Sequence, residues 1–216
     1  MLQNLREKVL DIGLKMKAYG LIAQAGGTVC ARDPETGLIA ISASGMSYEE
    51  MTWQDVLIID EEKNLLAGER KISVATDMFL TIFKNRPDVN ALIHTHSRYA
   101  TAFAAVKKPI PVITTTQGNI VGGQVPVVQT VHVGPYDQAF YNEIAETLGN
   151  GWACNLAAHG PICAGTDLEM ALDVSVTIEV TAHTAWIAKF LGEPYQLTNE
   201  EIQGSFQFCQ AAVGQK

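Results

Sequence analysis

Ala91-Leu92-Ile93-His94-Thr95-His96-Ser97 is an apolar run that ends in two histidines one residue apart. Read as a strand over residues 90–94, it turns His94 and His96 to one face, because strand side chains repeat every two residues. Two imidazoles placed this way can reach one ion at about 2.0–2.1 Å, the zinc–nitrogen distance. A third histidine, His159 in Ala157-Ala158-His159-Gly160, again stands where an apolar run meets a glycine. Three neutral imidazoles leave one position open for water or substrate, which separates a catalytic metal from a structural one. A lone His-x-His is more often a pair of surface or hydrogen-bonded histidines, so the pattern takes its meaning from the rest of the chain.

That rest is the composition of a soluble enzyme. The 216 residues are 47% hydrophobic and 18% charged, which supports one sizeable core and argues against global disorder. A formal charge of −8 argues against non-specific nucleic-acid binding, which needs basic surface. It leaves room for a phosphorylated small substrate, since a local site can be lined with amides on an acidic protein. Met1 to Lys8 is amphipathic rather than a basic head before an apolar run, and no stretch approaches the roughly 18 apolar residues of a membrane span. Cys30, Cys154, Cys163 and Cys209 show no CxxC spacing, so free thiols in a reducing compartment, the cytoplasm, are expected.

Apolar spacing predicts helices over residues 2–19, 74–85, 98–107 and 137–148, the last capped by Asp137. A long helix capped by Asp167 runs to about residue 191, and Thr198-Asn199-Glu200-Glu201 opens a final helix as a capping box. Strands are expected at 28–31, 38–41, 56–59, 65–67, 90–94, 125–128, 152–158 and 161–164, with the Gly-, Pro- and Thr-rich stretch from Pro109 to Pro135 otherwise a loop. Hairpins with irregularly interspersed helices indicate an α+β fold with a mainly antiparallel sheet, in one domain over residues 1–216.

The chain resembles the class II aldolase/adducin superfamily, whose members include L-fuculose-1-phosphate aldolase and L-ribulose-5-phosphate 4-epimerase. The resemblance is carried by Ser42-Ala43-Ser44-Gly45 with Tyr48, Met51-Thr52 with Asp55, Gly68 to Ser73, Arg86 to Ala91, His94 to Ala102, Ile110-Pro111, and Ala157 to Pro161. It implies a three-layer α/β/α fold, a predominantly antiparallel central sheet flanked by helices. It also implies a divalent metal, usually Zn2+ with Mn2+ or Co2+ as alternatives, on His94, His96 and His159, and a C4 homotetramer with active sites at subunit interfaces. Each histidine retains a structural alternative, such as a hydrogen bond to a neighbouring carbonyl. His132 and His183 read as satisfied or surface residues.

The implied chemistry is retro-aldol cleavage of a ketose, in which a divalent cation acts as a Lewis acid towards the developing enediolate. A 4-epimerase would rotate the aldehyde and re-form the bond, and a non-catalytic adducin-like module would keep only the fold. For phosphate, the resemblance implies three turns, here Gly27-Thr28-Val29-Cys30, Ser44-Gly45 and Lys71-Ile72-Ser73-Val74. Thr28, Ser44, Gly45 and Ser73 can donate hydrogen bonds there, whereas Cys30 is a weak donor and Val74 has no hydroxyl. The acid/base positions depart from the family. Its usual carboxylate falls on Ala75, and Asp77, two residues on and rotated by roughly 200° along a helix, is the nearest candidate for the acid/base role if the helix start shifts. The epimerase aspartate falls on Asn119, which exchanges no proton near neutral pH. The aldolase tyrosines fall on Thr115 and on the Phe206 to Phe208 tail, with Tyr195 the nearest phenol.

Overall fold

The computed structural model describes residues 1–212. In chain order its elements are α1 (Gln3–Ala18), β1 (Thr28–Arg32), β2 (Ile39–Ile41), β3 (Leu57–Ile59), β4 (Leu65–Ala67), α2 (Thr76–Asn85), β5 (Ala91–His94), α3 (Arg98–Ala105), α4 (Thr115–Ile120), β6 (Val127–Val128), α5 (Gln138–Leu148), β7 (Ala153–Leu156), β8 (Gly160–Gly165), α6 (Leu168–Leu191) and α7 (Asn199–Ala212). The strands form one sheet in the order β4-β3-β2-β1-β5-β8-β7-β6. Every pairing is antiparallel except β6 with β7. That exception has a cause: α5 lies between those two strands in sequence, and parallel neighbours need such a crossover.

Alternate residues of the strands feed two cores. Ala91 and Ile93 of β5 pack with Val9, Ile12 and Met16 of α1 and with Val174 and Ile178 of α6. Leu92 packs on the opposite face with Phe79 and Ile82 of α2 and Ile144 and Leu148 of α5. Helices therefore cover both faces, giving the three layers expected, and runs such as Leu57-Ile58-Ile59 stay apolar throughout because neither side meets water. Each such side chain contributes roughly 1.5–3 kcal/mol on full burial. His94 continues the face of Leu92 and so looks towards the α2 and α5 layer.

Several motif residues turn out to hold this frame. Tyr48 is buried and donates to Ser42 Oγ at 2.9 Å, while Ser42 Oγ accepts from Val29 N–H at 3.1 Å. Arg86 pairs with Asp88, donates to the Gly149 and Gly151 carbonyls at 2.6 and 3.0 Å, and lies over the Trp152 ring, tying the end of α2 to the turn before β7. Thr52 and Asp55 close a short 3-10 turn as a capping box.

The helix caps fall where the sequence puts them. Asp137 accepts from Phe140 N–H at 2.9 Å, Asp167 from Met170 N–H at 2.8 Å, and Thr198 and Glu201 cap reciprocally. Differences cluster after Pro109. Residues 115–120 form α4, capped by Thr114 and packed on α7, and Val125 makes only an isolated bridge to Ile110. Gly118 and the Thr and Asn residues of α4 disguise its period, and contacts with α7 and α6, both distant in sequence, support the helix. No helix among the described residues is long and apolar enough to cross a membrane.

Candidate metal centre and active-site cavity

The strand assignment alone does not bring the histidines together. β5 stops at His94, so His96 lies past the end of the ladder and is aimed by the loop rather than by the pleat. α3 begins two residues later, and Glu179 of α6 anchors its first turn. That carboxylate accepts from Tyr99 N–H at 3.0 and 3.1 Å and from Ala100 N–H at 2.9 Å, the free donors at the positive end of a helix. His159 comes from the tight β7–β8 connection, where Ala158 adopts a left-handed φ of 57° and His159 N–H closes onto the Leu156 carbonyl at 3.0 Å. Gly160 follows because nothing larger fits: a Cβ there would sit 2.3 Å from the Thr95 carbonyl oxygen. Gly26 is similarly placed, with the His96 Nδ1 atom 3.2 Å from where its Cβ would be.

The result is a triangle of donor atoms. The Nε2 atoms are 3.1 Å apart for His94 and His96, 3.2 Å for His96 and His159, and 3.3 Å for His94 and His159. Three ligands at about 2.0–2.1 Å from one ion stand about 3.3–3.4 Å apart on a tetrahedron and about 2.8–3.0 Å apart on an octahedron. The observed edges lie between these, so the trio fits one face of either polyhedron. His94 Nδ1 lies 2.9 Å from the Pro161 carbonyl, a contact that requires Nδ1–H and leaves Nε2 as a lone-pair donor. Burial, then the His159 and His96 imidazoles, pushes the His94 pKa down to about 3. Burial likewise lowers those of His96 and His159, the latter also through His96, so all three rings favour the neutral form a metal requires.

The cluster opens on a cavity of about 190 Å³, small beside the roughly 300–1,000 Å³ typical of drug-sized ligands and suited to a short metabolite. One wall is polar: Gly27 and Thr28 at the start of β1, Ser44 and Gly45 after β2, and Ser73 before α2. Thr28 Oγ1 and Ser73 Oγ are 3.1 Å apart, and Ser73 Oγ also accepts from Ala75 N–H at 3.3 Å. The opposite wall is apolar and aromatic, with Met78, Phe140, Tyr141 and Leu156 joined by Tyr136. Thus the cavity gathers His94, His96, His159, Thr28, Ser44, Gly45 and Ser73.

Two other predicted residues lie elsewhere. Asp77 projects from α2 to Lys63, at 2.7 Å, and is absent from the cavity lining. Asn119 sits in α4, where Ser205 of α7 engages its carboxamide. Of the remaining histidines, His183 stacks on Tyr99 with centroids 3.7 Å apart and His132 packs beside Tyr136 and Phe140. Tyr195 donates to Glu201 on the surface. Sequence reasoning missed Glu179 and Tyr141. An acid within the apolar run of α6 was a signal for the first, whereas nothing near Tyr141 in the sequence distinguishes it from a core aromatic.

A mostly antiparallel α/β/α sheet with three converging imidazoles beside a hydroxyl-lined cavity defines a metal-site enzyme fold. Residues 7–186 match the Class II Aldolase and Adducin N-terminal domain family. The chain is 33% identical over 207 residues to 5-deoxy-D-ribulose 1-phosphate aldolase of Bacillus thuringiensis serovar kurstaki, spanning 94% of each chain. Among solved structures it resembles an L-fuculose 1-phosphate aldolase with a TM-score of 0.89 at 26% identity, covering 96% of both chains. It also resembles YgbL, a putative aldolase/epimerase/decarboxylase from Escherichia coli, with a TM-score of 0.82 at 25% identity, covering 94% of this chain and 97% of that one. The chain belongs to the class II aldolase and adducin family.

Proposed function

We propose that the protein is a metal-dependent class II aldolase that cleaves a small ketose 1-phosphate, such as a 5-deoxypentulose phosphate, between C3 and C4. The observation that carries this reading is the triangle of Nε2 atoms 3.1–3.3 Å apart at one end of a cavity whose polar wall offers backbone amides and hydroxyls. His94, His96 and His159 would hold the divalent ion, Zn2+ first and Mn2+ or Co2+ as alternatives. When bound, it supplies Lewis-acid polarisation of the substrate carbonyl and neighbouring hydroxyl.

The chain's own residues do the rest. Thr28, Ser44 and Ser73 donate hydroxyls and Gly27 and Gly45 backbone amides to the phosphate, close to the N-terminus of α2. Among the described residues no Lys or Arg lines the cavity, and the donors it offers are neutral. Met78, Phe140 and Leu156 exclude water and favour an aldehyde half with an apolar end. The similarity to an aldolase whose substrate is named as a 5-deoxy sugar phosphate supports this choice.

Residues 1–216 act as one domain in the cytoplasm. The apolar outer face of α6 supports a homotetramer. Supplying Zn2+, Mn2+ or Co2+ and following aldehyde release from 5-deoxy-D-ribulose 1-phosphate, L-fuculose 1-phosphate and L-ribulose 5-phosphate tests the reading. Aldehyde from a ketose 1-phosphate, with about one ion per chain, is the expected result. Interconversion of L-ribulose 5-phosphate without aldehyde would replace it with epimerisation.

A further inference from the structure

Cleaving a ketose 1-phosphate between C3 and C4 takes a proton from O4 and, once the aldehyde has left, delivers one to C3 of the remaining enediolate. The cavity is short of groups for the second step. Among the described residues no Asp, Glu, Lys or Arg lines it, and the carboxylate position that the resemblance implies is Ala75, the N-cap of α2. The three imidazoles turn their Nε2 atoms on one another. The remaining titratable side chains in the lining are Tyr136 and Tyr141.

These two differ in how they are held. Tyr136 is half-buried in the irregular segment before α5 and stacks on Phe140, with an interplanar angle of 22°. Tyr141 is buried within α5, in the core that α5 shares with α2. Its ring is packed, while its hydroxyl oxygen is not among the buried polar atoms left without a partner and so stays accessible from the cavity that the residue lines. A phenol whose ring is fixed on a rigid helix and whose hydroxyl borders a ligand cavity is a donor placed for an acceptor that arrives with the ligand.

We propose that Tyr141 is the catalytic acid that protonates C3, an assignment that rests on the aldolase reading above. The Tyr141 O–H gives its proton to C3, and the C2=C3 electron pair of the enediolate forms the new C3–H bond. The C2 oxygen returns to a carbonyl, and dihydroxyacetone phosphate leaves. The phenolate regains, through cavity water, the proton that O4 lost. One proton moves from O4 to C3, and nothing is oxidised or reduced. The surroundings suit a donor: burial first, then Asp77 of α2, Tyr136 and the Asp137 cap of α5, raise the Tyr141 pKa and keep the phenol protonated at neutral pH. Lys63 partly offsets Asp77 at 2.7 Å.

The test compares the native protein with Tyr141→Phe, which removes only the hydroxyl, both loaded with Zn2+. In D2O the native protein exchanges a C3 proton of dihydroxyacetone phosphate, and the variant does so at least about 100-fold more slowly with metal content unchanged. With a ketose 1-phosphate the variant releases one aldehyde per site in a burst, then turns over slowly. Hexacyanoferrate(III), which oxidises the accumulated enediolate, restores aldehyde release. A merely structural loss would slow the burst as well. Exchange by Tyr141→Phe within about threefold of native, or loss of its burst, overturns the assignment while leaving the aldolase reading intact. A native protein that neither exchanges nor cleaves removes that reading and this one together.

Discussion

At the end of β5, the His94 imidazole and the Thr28 and Ser73 hydroxyls are held out of water; along the last turns of α6, indole, phenyl and leucine side chains are held in it. His94 is 6% exposed and Ser73 also 6%, whereas Trp186, Phe190 and Leu191 are 51%, 75% and 87% exposed. Both regions depart from the usual partition of polar and apolar groups, and such departures are more informative than a well-filled core. They depart for different reasons. Polar atoms gathered round a cavity await a small ligand with matching chemistry. Exposed apolar atoms await a surface, and α6 is apolar nearly all round, as helices enclosed by protein are. The cavity is thus read as a substrate site and α6 as a contact with further copies of the chain.

The strongest way to break the first half of that comparison is His94→Ala. With one vertex gone, metal content should fall from about one ion per chain to near zero, and cleavage by on the order of 10³-fold or more. Elemental analysis beside the aldehyde assay checks both. Retention of stoichiometric metal would mean that the trio is held together by hydrogen bonds alone. Next in size is Gly160→Ala. Its new Cβ would lie 2.3 Å from the Thr95 carbonyl oxygen, so the β7–β8 turn must move and carry His159 with it. Displacements of about 1 Å at a catalytic group can cost about 10²-fold, and that loss in kcat with weakened metal retention is the expected outcome. Near-native kcat and metal content would show that the turn absorbs the methyl without moving His159.

These two positions also show how far the sequence could be read. The His-x-His at the end of an apolar run and the His-Gly at a second one are local signals, and both lead to the same cavity. Thr28, Ser44, Gly45 and Ser73 came from the family resemblance rather than from spacing, and the fold brings all four to the cavity lining. Glu179 and Tyr141 were not, since each acts across a separation that periodicity does not measure: Glu179 reaches Tyr99 N–H 80 residues away. The same holds for α4, whose residues are poor helix formers until α7 packs against them. The expectation that a strand pleat would align His94 with His96 reached the right cluster by an incomplete route, because the loop after β5 does the aiming.

The second half of the comparison is broken from the α6 side. Trp186→Glu combined with Phe190→Glu puts charge on an exposed apolar face without touching either core. On the proposed homotetramer, light scattering is expected to fall from four chain masses to one or two, whereas metal content measured on the same sample should change by less than about twofold. An unchanged assembly would place the subunit contacts elsewhere.

The smallest effect is expected at Asp77, and it sharpens the boundary of the cavity. Ala75 occupies the N-cap of α2, and two further residues carry Asp77 round the helix to Lys63, 2.7 Å away on the β3–β4 turn. The two side chains are 37% and 42% exposed, a solvated pair whose contribution to stability is about 0–1 kcal/mol. Asp77 does reach the cavity by field: after burial, its negative charge raises the Tyr141 pKa. Asp77→Asn removes that charge, so the Tyr141 phenol becomes a slightly stronger acid, and any alkaline limb of the kcat profile that reports it moves to lower pH. Turnover at neutral pH should remain within about threefold of native, because the phenol is still protonated there. A loss of about 10²-fold with metal content intact would instead make Asp77 a proton carrier itself, and α2 would then have to rotate or unwind its first turn for the carboxylate to enter the site.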